Sequence, residues 1–169
     1  MTTMLIITLP VYHLLRNSDI EPTSEIRGVK LFKIRYALES DKAFWLKYDE
    51  HISENELLLK IRDRRGYIIS DGDKSIGVLR YNLFLDIIPF LTLIYLDESY
   101  RGKGFGRRAL LFWEHEMCEL GYKMIMTSTQ VDEGAQHFYR KLGYKDRGSL
   151  FLDKTPFEQP QEMLMLKIF

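Results

Sequence analysis

Apolar residues are densest at residues 90–96, in the middle of the chain. Nearly every residue of this run is apolar, which is typical of a strand covered on both faces. After a polar, glycine-rich turn, large apolar residues recur from Gly106 at Leu110, Trp113, Met117 and Leu120. This spacing predicts an amphipathic helix with one apolar stripe, and it places Arg108, His115 and Glu119 on the opposite side.

The pattern upstream predicts several shorter elements. Residues 4–9 form a predicted strand, and residues 29–37 a second one that partly alternates. Ser40 or Asp41 is the predicted N-cap of a first helix, and a capping box that begins at Ser53 opens another helix through Arg65. Two runs, 67–70 and 75–81, flank an Asp-Gly turn and predict a hairpin whose second strand continues to residue 85.

The pattern downstream completes the predicted fold. A strand at 124–129 follows Gly121, a short helix at 133–142 ends at Gly143, and residues 146–152 and 162–169 form a closing antiparallel pair. From residue 29 the order is β-α-α-β-β-β-α-β-α-β-β. This order predicts a mixed α+β domain in which helices flank a central, twisted, mostly antiparallel sheet.

The turn before the central helix contains cations where a helix start ordinarily has acids. A helix N-terminus favours Asp or Glu, yet this helix has no acid before Glu114. The turn reads Arg101, Gly102, Lys103, Gly104, Phe105, Gly106, Arg107, Arg108. Because glycines let a ligand approach unpaired amides, the turn is predicted to bind an anion, a phosphate or a pyrophosphate. The alternative is a solvated basic turn in which glycines only set backbone angles.

The same turn also fits the Gly-x-Gly-x-x-Gly/Ala pattern of dinucleotide-binding folds. Such a fold needs an acid at the end of the next strand, about 20 residues further on. Here that strand ends in Ser128 and Thr129, and too little chain follows to complete a doubly wound sheet. No Gly-x-x-x-x-Gly-Lys-Ser/Thr loop occurs either.

Composition narrows the class of protein. A chain of 169 residues is predicted to form one domain, and 24 basic and 24 acidic residues argue against nucleic-acid or membrane partners. The single cysteine, Cys118, excludes an internal disulfide and is predicted to be a small buried residue. We found no apolar run near the roughly 18 residues that span a bilayer, no signal peptide and no metal-ligand spacing among the histidines. These features predict a cytoplasmic protein without a metal.

Two blocks, residues 101–106 and residues 132–144, identify a family resemblance. The first is similar to the Arg/Gln-x-x-Gly-x-Gly/Ala signature of the GNAT superfamily of acyl-CoA-dependent N-acetyltransferases. The second, DEGAQHFYRKLGY, resembles the Asn-x-x-Ala-x-x-Leu-Tyr-x-x-x-Gly-Phe segment that this family has at a similar distance downstream. The resemblance implies one family-like domain at 29–169. Residues 1–28 are then an extension, either an added element or an upstream start.

The resemblance implies transfer of an acetyl group from acetyl-CoA to a primary amine of a small molecule or peptide, by direct attack. In the family, the amides of the turn at 101–106 take the CoA pyrophosphate, and here Arg107 and Arg108 would add charge. The pantetheine arm would pair with the central strand near Ile94, Tyr95 and Leu96, where a backbone amide polarises the acetyl carbonyl. Tyr139 falls where the family often has a tyrosine that protonates the leaving thiolate. Simple packing on the sheet is the alternative role for Tyr139.

Two positions depart from the family pattern. Asp132 replaces the asparagine before the second helix, a cofactor-binding position at which the resemblance implies contact with the pantetheine arm; the carboxylate can cap that helix but cannot donate to the arm through an amide. Many members have a glutamate on the central strand as general base, and the matching positions here are Thr92 and Leu93. The proton must therefore pass through water or to a base from elsewhere, such as Asp86.

Two classes of function stay open at this point. The first is an amine acetyltransferase. The second is an acyl-CoA-binding or sensing module that keeps the cofactor turn without turnover. A homodimer is expected if residues 1–28 pack on a second chain.

Overall fold

A computed structural model describes residues 31–169 of the chain. The elements follow the predicted order. They are β1 (Phe32–Tyr36), α1 (Lys42–Leu46), α2 (Glu54–Arg62), β2 (Gly66–Asp71), β3 (Lys74–Phe84), β4 (Ile88–Leu96), α3 (Phe105–Glu119), β5 (Met124–Gln130), α4 (Ala135–Lys141), β6 (Lys145–Leu150) and β7 (Glu162–Ile168). The predicted strand at 4–9 and the first residues of the strand at 29–37 lie outside the described residues.

Local sequence signals account for several element ends. The Ser53 hydroxyl accepts a hydrogen bond from the Glu56 amide at 3.2 Å, which fixes the start of α2. Helix α3 ends where Gly121 adopts a φ of 88°, a left-handed conformation that favours glycine. Capping and turn residues therefore set these boundaries before any long-range packing is considered.

The strands form one sheet of seven strands in the order β1-β2-β3-β4-β5-β7-β6. Every neighbouring pair is antiparallel except β4 and β5, which run parallel in the middle of the sheet. The predicted α+β class and the mostly antiparallel central sheet are confirmed.

Helices cover both faces of the sheet. Helices α3 and α4 pack on one face, where Trp113 and Tyr139 join Leu79, Leu91 and other strand residues in the larger core. Helices α1 and α2 cover the opposite face, where a second core contains Ala37, Trp45, Leu57, Ile68 and Val78. Because consecutive strand residues point to opposite faces, these two cores assign each strand residue to the α3–α4 side or the α1–α2 side.

Two predictions about α3 are wrong. Leu110, Trp113 and Met117 are buried as expected, but Leu120 follows the last helical residue and is 53% exposed. Cys118 is exposed rather than buried, because it lies next to Met117 and turns away from the buried stripe. Within residues 31–169, no helix is long and apolar enough to cross a bilayer.

Candidate active site

Strands β4 and β5 separate soon after they meet. Their register contains two residue pairs, Phe90 with Met126 and Leu91 with Thr127. Strand β4 nevertheless continues to Leu96, and β5 to Gln130. The sheet therefore has a gap at the carboxyl ends of these two parallel strands.

A β-bulge in β4 lies where the gap begins. Tyr81 of β3 pairs with Leu91 and Arg80 pairs with Leu93, so Thr92 is the extra residue in β4. The extra residue shifts the alternation of side chains along β4. As a result Leu91 and Ile94, three positions apart, both contact the α3–α4 core. Bulges bend a strand and increase its twist, which explains why β4 diverges from β5 at this point.

A buried ion pair holds the bulge from the α1–α2 side. The Arg80 guanidinium bonds the Asp49 carboxylate, with Nε 2.6 Å from Oδ2, and its Nη1 donates to the Thr92 hydroxyl at 2.8 Å. Trp45 of α1 donates its indole N–H to the same carboxylate at 3.1 Å. Asp49 is 2% exposed, and breaking such a buried pair typically costs about 3–5 kcal/mol. These contacts connect α1 to the bulge at the edge of the gap.

The gap opens into a cavity of about 490 Å³. Strand alternation and the positions of the helices divide its lining into two groups. On the α3–α4 side are Leu91, Ile94, Thr127, Thr129, Glu133, Ala135 and Tyr139. On the α1–α2 side are His51, Thr92, Leu93, Ser128, Gln130, Gln159 and Glu162. The cavity is thus lined by residues from both faces of the sheet.

Tyr139 lies in this cavity, as its predicted role requires. The side chain is 6% exposed and comes from α4. Burial raises the pKa of the phenol; a hydrogen bond with the Thr127 side chain partly opposes this shift, and the Glu133 carboxylate adds to it. A phenol whose pKa is raised stays protonated at neutral and mildly alkaline pH. The group is therefore in the form that can donate a proton.

The glycine-rich turn presents backbone amides to solvent. Gly104 is the N-cap of α3 with a φ of 86°, and the helix has no side-chain cap and no acid in its first turn. The first hydrogen bond at this end runs from the Arg108 amide to the Gly104 carbonyl at 3.0 Å. In the described part of the chain, the amides of Gly102, Lys103, Gly104, Gly106 and Arg107 have no acceptor.

The space above the turn is open. A side chain built at Gly102 or Gly104 would meet no atom within 4 Å. Free amides, a helix N-terminus and open space together suit a bound anion.

The cations of the turn have different surroundings. Arg101 donates its Nε hydrogen to the Leu96 carbonyl at 3.0 Å, and its guanidinium lies 5.0 Å from the centre of the Tyr95 ring. The Arg108 guanidinium stacks 4.3 Å from the centre of the Phe32 ring. Arg107 is exposed and makes no ion pair within residues 31–169. Arg101 therefore ties the turn to the end of β4, while Arg107 is available to a ligand.

Other predicted residues lie away from the cavity. Asp86 is in the exposed turn between β3 and β4, with a φ of 64°. At about 3.3 Å per residue, it is roughly 15 Å from the point where Leu91 enters the cavity lining. Asp132 is exposed and does not cap α4, whose N-cap is Gly134 without a side-chain bond. The expected cap is wrong because α4 begins later than predicted, whereas a role for Asp86 as base stays a prediction.

Two carboxylates in the cavity were not predicted. Glu133 lies in the second motif and accepts a hydrogen bond from the Thr129 hydroxyl at 2.9 Å. Glu162 is the first residue of β7. Because Met163 and Met165 are buried, strand alternation places the Glu162 side chain on the face of the sheet opposite to theirs, and this alternation is a signal that the sequence contains. No group of three or more His, Cys, Asp or Glu side chains within the described residues could hold a metal ion.

The profile of the Acetyltransferase (GNAT) family matches residues 30–144. The chain belongs to the GNAT acetyltransferase family. The activity of that family is acetyl transfer, and the matched segment contains both motif blocks, the bulge and Tyr139. Among curated proteins, no sequence matches this GNAT protein.

Solved structures share the fold at low sequence identity. Ard1 from Thermoplasma volcanium is 14% identical, with a TM-score of 0.71 over 81% of this chain and 97% of its own. Naa50 from Arabidopsis thaliana, in complex with the bisubstrate analogue CoA-Ac-MVNAL, is 13% identical, with a TM-score of 0.69 over 82% and 99%. A GNAT family acetyltransferase from Elizabethkingia anophelis with acetyl-CoA bound is 16% identical, with a TM-score of 0.66 over 82% and 98%. At these identities, the likeness shows the fold alone.

Proposed function

We propose that this GNAT protein transfers the acetyl group of acetyl-CoA to the primary amine of a small molecule or peptide. The gap between β4 and β5 is the observation that supports this proposal. Its lining extends from Ile94, two residues before the end of β4 and the turn that follows, to Tyr139, and it includes residues from both faces of the sheet. One substrate can therefore enter from each face, and the two can meet in the gap.

The residues of the turn would hold the phosphate end of acetyl-CoA. The free amides of Gly102, Lys103 and Gly104 are donors for the pyrophosphate, and Arg107 supplies a cation. The unpaired edge of β4 at residues 94–96 gives the pantetheine amides a strand to pair with.

At the thioester, direct attack by the amine requires no enzyme nucleophile. The amine nitrogen bonds to the acetyl carbon, the carbon–sulfur bond breaks, and Tyr139 donates its proton to the departing sulfur. The nitrogen loses one proton to water or to a base, and the Tyr139 phenolate regains a proton from solvent. An amide of β4 donates to the carbonyl oxygen where negative charge develops. The arrangement holds an acid, a donor and the two substrates together, and proximity of this kind is a large part of catalysis.

The test is release of free thiol from acetyl-CoA with a panel of primary amines. Turnover with at least one amine, together with a mass increase of one acetyl group on that amine, is expected. Saturable acetyl-CoA binding without turnover on a broad panel would instead support the sensing module.

We further propose that residues 1–28 are dispensable for cofactor binding, since the family match begins at residue 30. Deleting them is expected to leave the acetyl-CoA affinity within about twofold of the full chain, because all the binding groups named above lie between residues 91 and 139. Calorimetry on both proteins measures this, and the oligomeric state of each is compared by light scattering. Loss of affinity in a folded truncation would show that these residues help build the site.

A further inference from the structure

The α1–α2 side of the cavity contains one carboxylate, that of Glu162. This residue pairs directly with Gln130 across β5 and β7, so both side chains point to the same face. Met163 and Met165 point to the other face and are buried in the α3–α4 core. Glu162 therefore lies on the face opposite Tyr139, with the gap between them.

The Glu162 carboxylate has no positive partner. It accepts one neutral hydrogen bond, from the Gln159 amide at 3.2 Å, and it is half-buried. The ion pairs within residues 31–169 involve other acids. No lysine or arginine lines the cavity, and its other carboxylate, Glu133, adds to the negative charge from the α3–α4 side.

The charges around the gap are thus separated. Cations are concentrated at the turn that follows β4, where we place the phosphates, whereas the cavity wall has two carboxylates, one histidine (His51) and no lysine or arginine. A half-buried carboxylate without a counter-ion attracts a cationic ligand and repels an anionic one, and this effect is stronger than in water because the local dielectric constant is lower.

We propose that Glu162 selects the acceptor: it favours a cationic amine and disfavours an acceptor with a carboxylate beside the amine. The favoured class comprises simple cationic amines and peptide N-termini, in which an amide replaces the carboxylate. The disfavoured class comprises free amino acids. This inference rests on the proposed function, because it assigns the α1–α2 side of the gap to the acceptor.

Alaninamide and alanine test this directly, since they differ only in the group beside the amine. The measured quantity is the ratio of kcat/KM for alaninamide to that for alanine. Glu162→Gln keeps the size of the side chain and its oxygen acceptor, and it is expected to lower the ratio about tenfold. Glu162→Lys is expected to lower it further. The KM for acetyl-CoA should stay unchanged in both variants.

Two features make the comparison specific. The two amines differ in basicity, which by itself affects the ratio of their kcat/KM values. The decisive quantity is therefore the change in this ratio from the unaltered protein to the variant. Glu158→Gln is the matched control, because Glu158 is exposed in the loop just before β7 and does not line the cavity; its ratio should equal that of the unaltered protein.

A binding measurement separates this inference from the proposed function. Calorimetry of alaninamide on the CoA-loaded protein is expected to show binding that Glu162→Gln weakens about tenfold. Absence of turnover with any amine would contradict the proposed function, while the binding result would still decide the role of Glu162. An unchanged ratio in Glu162→Gln, or no alaninamide binding to the CoA-loaded unaltered protein, would overturn the inference and leave Glu162 as a solvated strand residue.

Discussion

The Gly104→Glu variant is expected to lose acetyl-CoA binding almost completely. The new carboxylate would lie in the open space above the turn, where we place the pyrophosphate. Two like charges about 4 Å apart repel each other by about 4 kcal/mol near a protein surface, which is roughly a thousandfold in affinity. Calorimetry measures the loss, and binding to the unaltered protein should also weaken as salt is added.

Two control variants separate charge from backbone strain. Gly104→Ala forces a side chain into the same φ of 86° without adding charge, so it should retain most of the affinity. Gly72→Glu makes the same replacement in the β2–β3 turn, also at positive φ and in open space, and it should bind normally. A folded Gly104→Glu protein that binds acetyl-CoA as before would mean that the anion site lies elsewhere.

The Tyr139→Phe variant is expected to lower turnover by about 10²–10⁴, the usual contribution of a general acid. The acetyl-CoA affinity should be nearly unchanged, because the phenol acts on the departing sulfur and not on the phosphates. The raised pKa of Tyr139 keeps this acid protonated as the pH rises. The rate of the unaltered enzyme should therefore increase with pH, as more of the acceptor becomes free amine. Steady-state kinetics between neutral and mildly alkaline pH test both expectations.

Tyr144→Phe is the matched control for Tyr139→Phe. The two ring centres are 5.5 Å apart, and Tyr144 is also buried but does not line the cavity. Both variants should remain folded, and only Tyr139→Phe should slow turnover. Undiminished turnover of the Tyr139→Phe variant on a verified acceptor would contradict the acid role and indicate that Tyr139 only packs on the sheet.

The proton of the amine has two routes, water or Asp86. The exposed turn that contains Asp86 is remote from the gap. If water takes the proton, the Asp86→Asn variant should turn over as fast as the unaltered enzyme. If Asp86 is the base, the variant should turn over more slowly, and the low-pH limb of its pH–rate profile should shift.

Much of the fold could be predicted because its signals are local. Ser53, the Asp71-Gly72 turn, Gly121 and the apolar run of β4 each determine a boundary or an element within a few residues. Leu120 and Cys118 were assigned wrongly because helical spacing alone does not tell where the helix ends or how wide its buried stripe is.

The site was predictable only in part, because some of its contacts are long-range. The turn and Tyr139 belong to contiguous motifs, so the sequence alone could identify them. The Thr92 bulge depends on the register of β3 against β4, and Arg80 bonds an aspartate 31 positions away. Glu162 reaches the cavity only through the pairing of β7 with β5. No local pattern contains these pairings.

The gap also affects the stability of the fold, because it almost divides the seven-stranded sheet into two smaller sheets. Strands β1–β4 and β5–β7 share a ladder of two residue pairs, and beyond it each has a strand edge inside the molecule without a partner strand. A ligand that pairs with such an edge binds the folded chain and not the unfolded one. It therefore stabilises the fold by about 2.7 kcal/mol at a concentration 100 times its dissociation constant. Acetyl-CoA would then also pair with a strand edge of the sheet that otherwise has no partner strand. The melting temperature of the protein would rise with the acetyl-CoA concentration.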